Sequence, residues 1–100
     1  MIGAFIKKSP IKLNNIKIVE VIIDTHYEQK HRGYMSDVLI LKLVNELDRR
    51  KELPESVIGK YSYFATLVEL DKKTYRLVWL LEDHAIYIGI VNAYRDKRRS

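Results

Sequence analysis

The second half of the chain consists of three segments rich in β-branched and aromatic residues, separated by two short polar stretches. The three segments span residues 57–70, 74–81 and 85–94. In the middle segment apolar side chains alternate with other residues, which is typical of a strand with one buried face. Tight turns between successive strands make them antiparallel neighbours. We therefore expect a three-stranded antiparallel meander in the C-terminal half.

The first half predicts one strand followed by one long helix. Residues 16–23 are dominated by β-branched side chains and predict a strand. Ser36 is a favourable N-cap, and the pattern that follows it predicts a helix as far as Lys51, before Pro54. One apolar arc of this helix would face the core and contains Leu39, Ile40, Leu43, Val44 and Leu47. The expected fold class is therefore α+β, with a central helix packed on an antiparallel sheet whose main part is the C-terminal meander.

Length and composition fit one small cytoplasmic domain. One hundred residues with an apolar share of 47% support a single core, so we expect one domain over residues 1–100. The chain has no cysteine, no secretory signal pattern and no apolar stretch near the roughly 18 residues of a membrane helix. We expect no membrane partner and no disulfide. Residues 1–15 are compatible with a strand, a dimer arm or a loose end, so a homodimer is one expected form.

The charge of the chain favours a polyanionic partner. The formal net charge is +5 and the isoelectric point is about 9.5. The basic residues gather in three places: Lys7, Lys8, Lys12 and Lys17; Arg49, Arg50 and Lys51; and Arg95, Lys97, Arg98 and Arg99. Such a surplus attracts nucleic acid or an acidic protein, although a surface that is merely soluble predicts the same balance. Phosphate-binding glycine loops, nucleophile elbows and zinc or dinucleotide fingerprints are absent from the sequence, which disfavours ATPases, dehydrogenases and serine hydrolases.

The densest polar cluster, residues 26–33, contains His26, Lys30 and His31. Metal-free RNA cleavage needs a base for the 2′-hydroxyl, an acid for the leaving 5′-oxygen and cations near the phosphorus. Histidine suits the first two roles because its pKa lies near neutrality. On a helix, His26 and His31 would lie about 140° apart, which is unfavourable for a shared metal. We predict no metal and no cofactor. Capping or solvation would explain the same histidines.

A second polar set lies on the predicted sheet. Strand alternation places Arg76 on the face opposite Tyr75, Leu77 and Trp79. On the last strand, Asn92 and Tyr94 share one face and Arg95 lies on the other. Polar and basic groups at the end of a final strand can hold a phosphodiester. The tyrosines and the tryptophan of the sheet are expected to be core and sheet-surface residues rather than base-stacking platforms.

Residues 74–95, with the sequence TYRLVWLLEDHAIYIGIVNAYR, resemble the C-terminal hairpin of small RelE/ParE-like toxins. In that family a tyrosine-arginine strand with a later aromatic residue is followed by a turn and an isoleucine-rich strand. Residues 26–37 are similar to the helix entry of related toxin domains, with its pattern of histidine, lysine-histidine, glycine and serine. The resemblance implies a metal-independent endoribonuclease of the barnase, colicin and RelE type. It also implies RNA as the substrate and a cognate protein antitoxin as a partner.

By this resemblance Arg76 matches the strand arginine, and Tyr94 and Arg95 match the terminal catalytic or phosphate-binding positions. His26 and His31 match the helix-entry histidines. We accordingly predict catalytic roles for His26, His31, Tyr94 and Arg95, and RNA-binding roles for Lys30, Arg76 and Asn92. The long N-terminal helical hairpin of ribosome-dependent RelE has no counterpart, and some ParE-like relatives act on gyrase. The alternatives are a non-catalytic basic module that binds nucleic acid or protein, and an immunity-like or antitoxin-like protein, against which the basic charge argues.

Overall fold

The computed structural model describes residues 3–24 and 35–96. Within these ranges the elements are β1 (Gly3–Leu13), β2 (Ile16–Asp24), α1 (Asp37–Asn45), β3 (Ser56–Ile58), β4 (Tyr61–Leu70), β5 (Lys73–Glu82) and β6 (Tyr87–Arg95). The strands form one sheet in the order β1-β2-β6-β5-β4-β3. Strands β2 and β6 are parallel, and the other neighbours are antiparallel. None of the described helical structure is long and apolar enough to cross a membrane.

The expected α+β class, a central helix on a three-stranded meander, is wrong. Strands β4, β5 and β6 do pair as a meander, but they are half of a six-stranded mixed sheet. The N-terminal residues supply β1, and the segment expected to be one strand over 57–70 is broken at Gly59. Gly59 has a φ of +60°, which glycine adopts without the steric penalty of a side chain. The chain therefore turns there, and β3 folds back on β4.

Helix α1 begins where the sequence predicts and ends earlier. Ser36 is the N-cap, because its Oγ accepts a hydrogen bond of 3.1 Å from the Leu39 amide. The helix ends at Asn45 rather than near Lys51. Four residues later Arg49 has a left-handed φ of 69°, and its amide donates to the Lys12 carbonyl of β1 over 2.6 Å. The basic residues after the helix thus bond the edge of the sheet instead of extending the helix.

One face of the sheet packs with α1 to form the core. Along β5, every second side chain points into this core. Tyr75, Leu77 and Trp79 are buried in it. The ring of Trp79 stacks on Phe64 of β4, with centroids 3.9 Å apart and planes 7° from parallel. Helix α1 and its C-terminal end contribute four fully buried side chains: Ile40, Leu43, Val44 and Leu47. The opposite sheet face, called the outer face below, carries the residues between these core positions.

Candidate functional site on the outer face of the sheet

The sheet brings three of the predicted site residues together on the outer face. Arg76 of β5 and Tyr94 of β6 are direct cross-strand partners, and Val78 and Asn92 form the next pair. Directly opposed residues project to the same face, so Arg76, Asn92 and Tyr94 share it. Arg95 pairs with Tyr75, a core residue, and therefore projects from the other face. The predicted residues His26, Lys30 and His31 lie outside the described residues.

Arg76 is oriented by a buried carboxylate. Its Nη2 lies 3.7 Å from Oδ2 of Asp96, whose side chain is 5% exposed. Asp96 is itself fixed, because its amide donates to the Thr74 carbonyl over 2.9 Å. A guanidinium carries five N–H donors in a planar fork, so one carboxylate contact leaves donors for a second oxyanion. The geometry therefore suits an arginine held ready for a phosphate.

Asn92 lies at a β-bulge that distorts β6. The register between β5 and β6 shifts after Val78, so that Trp79 pairs with Ile90 and Val91 is the extra residue. The Oδ1 of Asn92 accepts a hydrogen bond of 2.9 Å from the Ala93 amide. The side-chain amide also carries an NH₂ donor group. Bulges recur beside binding and active sites, where they redirect side chains, and this bulge lies next to the Arg76–Tyr94 pair.

A pocket of about 280 Å³ lies on the outer face toward the other end of the same strands. Its lining residues are Asp24, Tyr61, Tyr63, Leu80 and Val91. The rings of Tyr61 and Tyr63 are 6.5 Å apart and tilted by 51°, and Lys60 Nζ lies 5.6 Å from the Tyr61 ring centre. Aromatic walls with a nearby carboxylate suit a flat ring bearing N–H donors, such as a nucleobase. Leu80 lies four residues from Arg76, about 13 Å along β5.

Tyr87 and Glu82 form a hydrogen-bonded pair beside Tyr61. The Tyr87 hydroxyl donates to Glu82 Oε1 over 2.7 Å, and Lys60 Nζ lies 3.4 Å from Oε2. Burial raises the pKa of Tyr87, and its bond to the Glu82 carboxylate raises it further. The same hydrogen bond is the main cause that lowers the pKa of Glu82. Tyr87 is consequently a neutral donor at physiological pH and is not suited to act as a base.

Sequence reasoning identified the Arg76–Tyr94 side of this face and missed the pocket. The signal for the pocket was the spacing of Tyr61 and Tyr63, two residues apart on one strand face, together with Leu80 on β5. Asp24 could not be included because β2 reaches the pocket only through its long-range pairing with β6. In the part of the chain that the structure describes, no cluster of three or more histidine, aspartate or glutamate residues could hold a metal ion.

Comparisons of this chain with protein-family models, curated proteins and solved structures found no match. The resemblance to RelE/ParE-like toxins therefore stays a prediction.

Proposed function

We propose that the protein is a metal-independent endoribonuclease of the toxin type, which binds single-stranded RNA across the outer face of its sheet. The observation that carries this proposal is the direct pairing of Arg76 with Tyr94, with Asn92 on the same face. The tyrosine pocket supports it, because single-stranded RNA is recognised largely through unstacked bases held against aromatic rings. The assignment as a toxin depends on the resemblance of residues 74–95.

In the proposed reaction the RNA 2′-oxygen attacks the adjacent phosphorus and the bond from phosphorus to the 5′-oxygen breaks. A base removes the 2′-hydroxyl proton and an acid protonates the leaving 5′-oxygen, so the products are a 2′,3′-cyclic phosphate and a 5′-hydroxyl. Arg76 stabilises the charge that develops on the phosphoryl oxygens. Tyr94 and the Asn92 amide donate hydrogen bonds to the same group. His26 and His31 remain the proposed base and acid, on the strength of the resemblance alone.

The test is cleavage of total RNA in excess EDTA by three variants and the unchanged protein. Arg76→Gln and Tyr94→Phe each remove one proposed phosphate contact, and both are expected to lower the cleavage rate at least about tenfold. Arg95→Gln is the matched control: the sequence predicts a catalytic role for Arg95, but it projects from the other face of the sheet and is not part of the site proposed here. It should stay within about twofold of the unchanged protein. Circular dichroism checks folding, which matters most for Arg76→Gln because it removes the guanidinium that lies beside the buried Asp96 carboxylate.

If Arg76→Gln and Tyr94→Phe both cleave RNA as fast as the unchanged protein, the active site does not lie on the outer face. RNA left intact by the unchanged protein would argue for the second candidate, a non-catalytic RNA-binding module. The Tyr61–Tyr63 pair favours that candidate, because its rings line the pocket without needing any catalytic group. Salt-dependent RNA binding without cleavage would identify it.

A further inference from the structure

A basic groove lies between the β1–β2 hairpin and the chain that leaves α1. It has a volume of about 150 Å³ and is lined by Lys12, Asn15, Arg49, Arg50 and Lys51. Lys17 is directly opposite Lys12 in the hairpin. Like charges directly opposite each other destabilise an antiparallel pair. The fold therefore accumulates positive charge here against its own stability, which a bound anion would offset.

Backbone hydrogen bonds fix the walls of this groove. The Arg49 amide donates to the Lys12 carbonyl over 2.6 Å, and the Lys12 amide donates to Asp48 Oδ1 over 2.8 Å. The Asn14 amide donates to the Arg50 carbonyl over 3.0 Å. Arg49 has a φ of 69°, a conformation that asparagine or glycine adopts at lower cost than arginine.

A polar chain connects the groove to the core. The side chain of Asn14 exchanges two hydrogen bonds with the backbone of Glu52, of 3.1 and 2.7 Å. The Glu52 carboxylate accepts from the Thr66 hydroxyl over 2.8 Å, and that hydroxyl accepts from the indole N–H of Trp79 over 3.0 Å. Trp79 is fully buried. The segment that carries the groove cations is consequently anchored to the buried core.

The groove cations are not neutralised by ion pairs in the described part of the chain. The salt bridges recorded there involve Lys7, Lys60 and Arg76, and none involves a residue that lines the groove. Asp48, the carboxylate beside the groove, accepts the backbone amide of Lys12. Arg49 and Lys51 are both exposed. Their charges are therefore accessible to a ligand from solution.

We propose that this groove binds backbone phosphates of single-stranded RNA, as a contact site separate from the outer face. Guanidinium groups hold phosphate oxygens in a bidentate arrangement. The groove is lined by two arginines, two lysines and an amide, and Arg50 also donates from Nη1 to the Leu67 carbonyl over 3.5 Å. A helix with its side chains is roughly 10 Å across, so the backbone of a helical partner would stay outside a space of about 150 Å³. A nucleic-acid backbone is narrow enough to enter. The groove thus favours RNA over a helical acidic protein.

The experiment measures binding of a single-stranded 2′-O-methyl RNA of about 12 nucleotides by fluorescence anisotropy between roughly 50 and 300 mM salt. Such RNA has no free 2′-hydroxyl to attack, so the result does not depend on the proposed nuclease activity. The groove variant is Arg49→Asn with Lys51→Gln. The matched control is Lys72→Asn with Lys73→Gln, since Lys72 is also left-handed, with a φ of 64°, and both lysines are exposed outside the groove. Each double variant removes two charges.

The groove variant should reduce the slope of log K against log salt by about 1.4, because each lost contact with a single-strand phosphate removes about 0.7. The control should reproduce the slope of the unchanged protein. Equal losses in the two double variants would overturn the proposal in favour of a general charge effect. An unchanged slope in the groove variant would also overturn the proposal, and an acidic protein would then be the better candidate ligand of the groove. Lys51→Gln against Lys73→Gln repeats the comparison without altering a left-handed position, with an expected difference of about 0.7.

Discussion

At the scale of single residues, Glu82 connects the stability of the outer face to pH. Its pKa is lowered mainly by the hydrogen bond from Tyr87 and further by Lys60. A carboxylate with a lowered pKa in the folded state stabilises the fold above its ordinary pKa, and that stabilisation is lost as pH falls through the lowered value. The Tyr87 contact should therefore contribute to folding at neutral pH and fade in acid.

We expect Tyr87→Phe to reduce the free energy of unfolding more at pH 7 than at about pH 3, because the stabilising contribution of the ionised Glu82 fades as the pH falls through its lowered pKa. Urea unfolding of both proteins across this range measures the difference. In a Glu82→Gln background the effect of Tyr87→Phe should not depend on pH between these values, which is the control. A loss of equal size at pH 7 and pH 3 in the presence of Glu82 would contradict the assignment.

Residue-scale sequence reasoning succeeded where side-chain placement follows from alternation alone. Strand alternation predicts that Arg76 points away from the apolar face of β5, and that Asn92 and Tyr94 lie on the opposite face of β6 from Arg95. The register of β5 and β6 agrees with both predictions. The chain of hydrogen bonds from Trp79 through Thr66 to Glu52 could not be found in this way. It joins a strand to a loop, and nothing in the local pattern of Glu52 distinguishes it from a solvated glutamate.

At the scale of elements, helix α1 shows which boundaries a sequence encodes locally. Its start is fixed by Ser36, whose hydroxyl satisfies the Leu39 amide, a signal carried within four residues. After its end the chain turns onto β1 through the Arg49–Lys12 hydrogen bond, which depends on a partner 37 residues earlier in the chain. The helical spacing of apolar residues continues past Asn45 because Leu47 is still a core residue, although Leu47 is no longer helical. The predicted helix was therefore too long.

Ser36→Ala should lower the free energy of unfolding by about 1 kcal/mol, because the Leu39 amide loses its acceptor at the helix N-terminus. Ser36→Asp keeps an acceptor at the N-cap and should remain within about 0.5 kcal/mol of the unchanged protein. Thermal and urea unfolding followed by circular dichroism measure both. Equal losses in the two variants would show that the hydroxyl contributes through some contact other than capping.

At the scale of the whole molecule, the sheet order depends on one pairing that local patterns do not reveal. Strand β2 lies beside β6 in parallel, although 62 residues separate Asp24 from Tyr87. The sequence shows two isoleucine-rich segments, residues 16–24 and 87–95, without indicating that they are neighbours. This pairing joins the β1–β2 hairpin to the meander, so that all six strands belong to one sheet.

The N-terminal strand is consequently part of the core, and a leucine comparison tests this. Leu13 is fully buried, whereas Leu53 is 91% exposed in the chain after α1. Leu13→Ala should cost about 3 kcal/mol of unfolding free energy, since it removes buried methyl groups and leaves a cavity. Leu53→Ala should change it by less than about 0.5 kcal/mol. Urea unfolding followed by the fluorescence of Trp79, the single tryptophan, measures both. If Leu13→Ala proved as mild as Leu53→Ala, β1 would be a peripheral arm, and the anchoring of the basic groove to the core through the β1–β2 hairpin would fail with it.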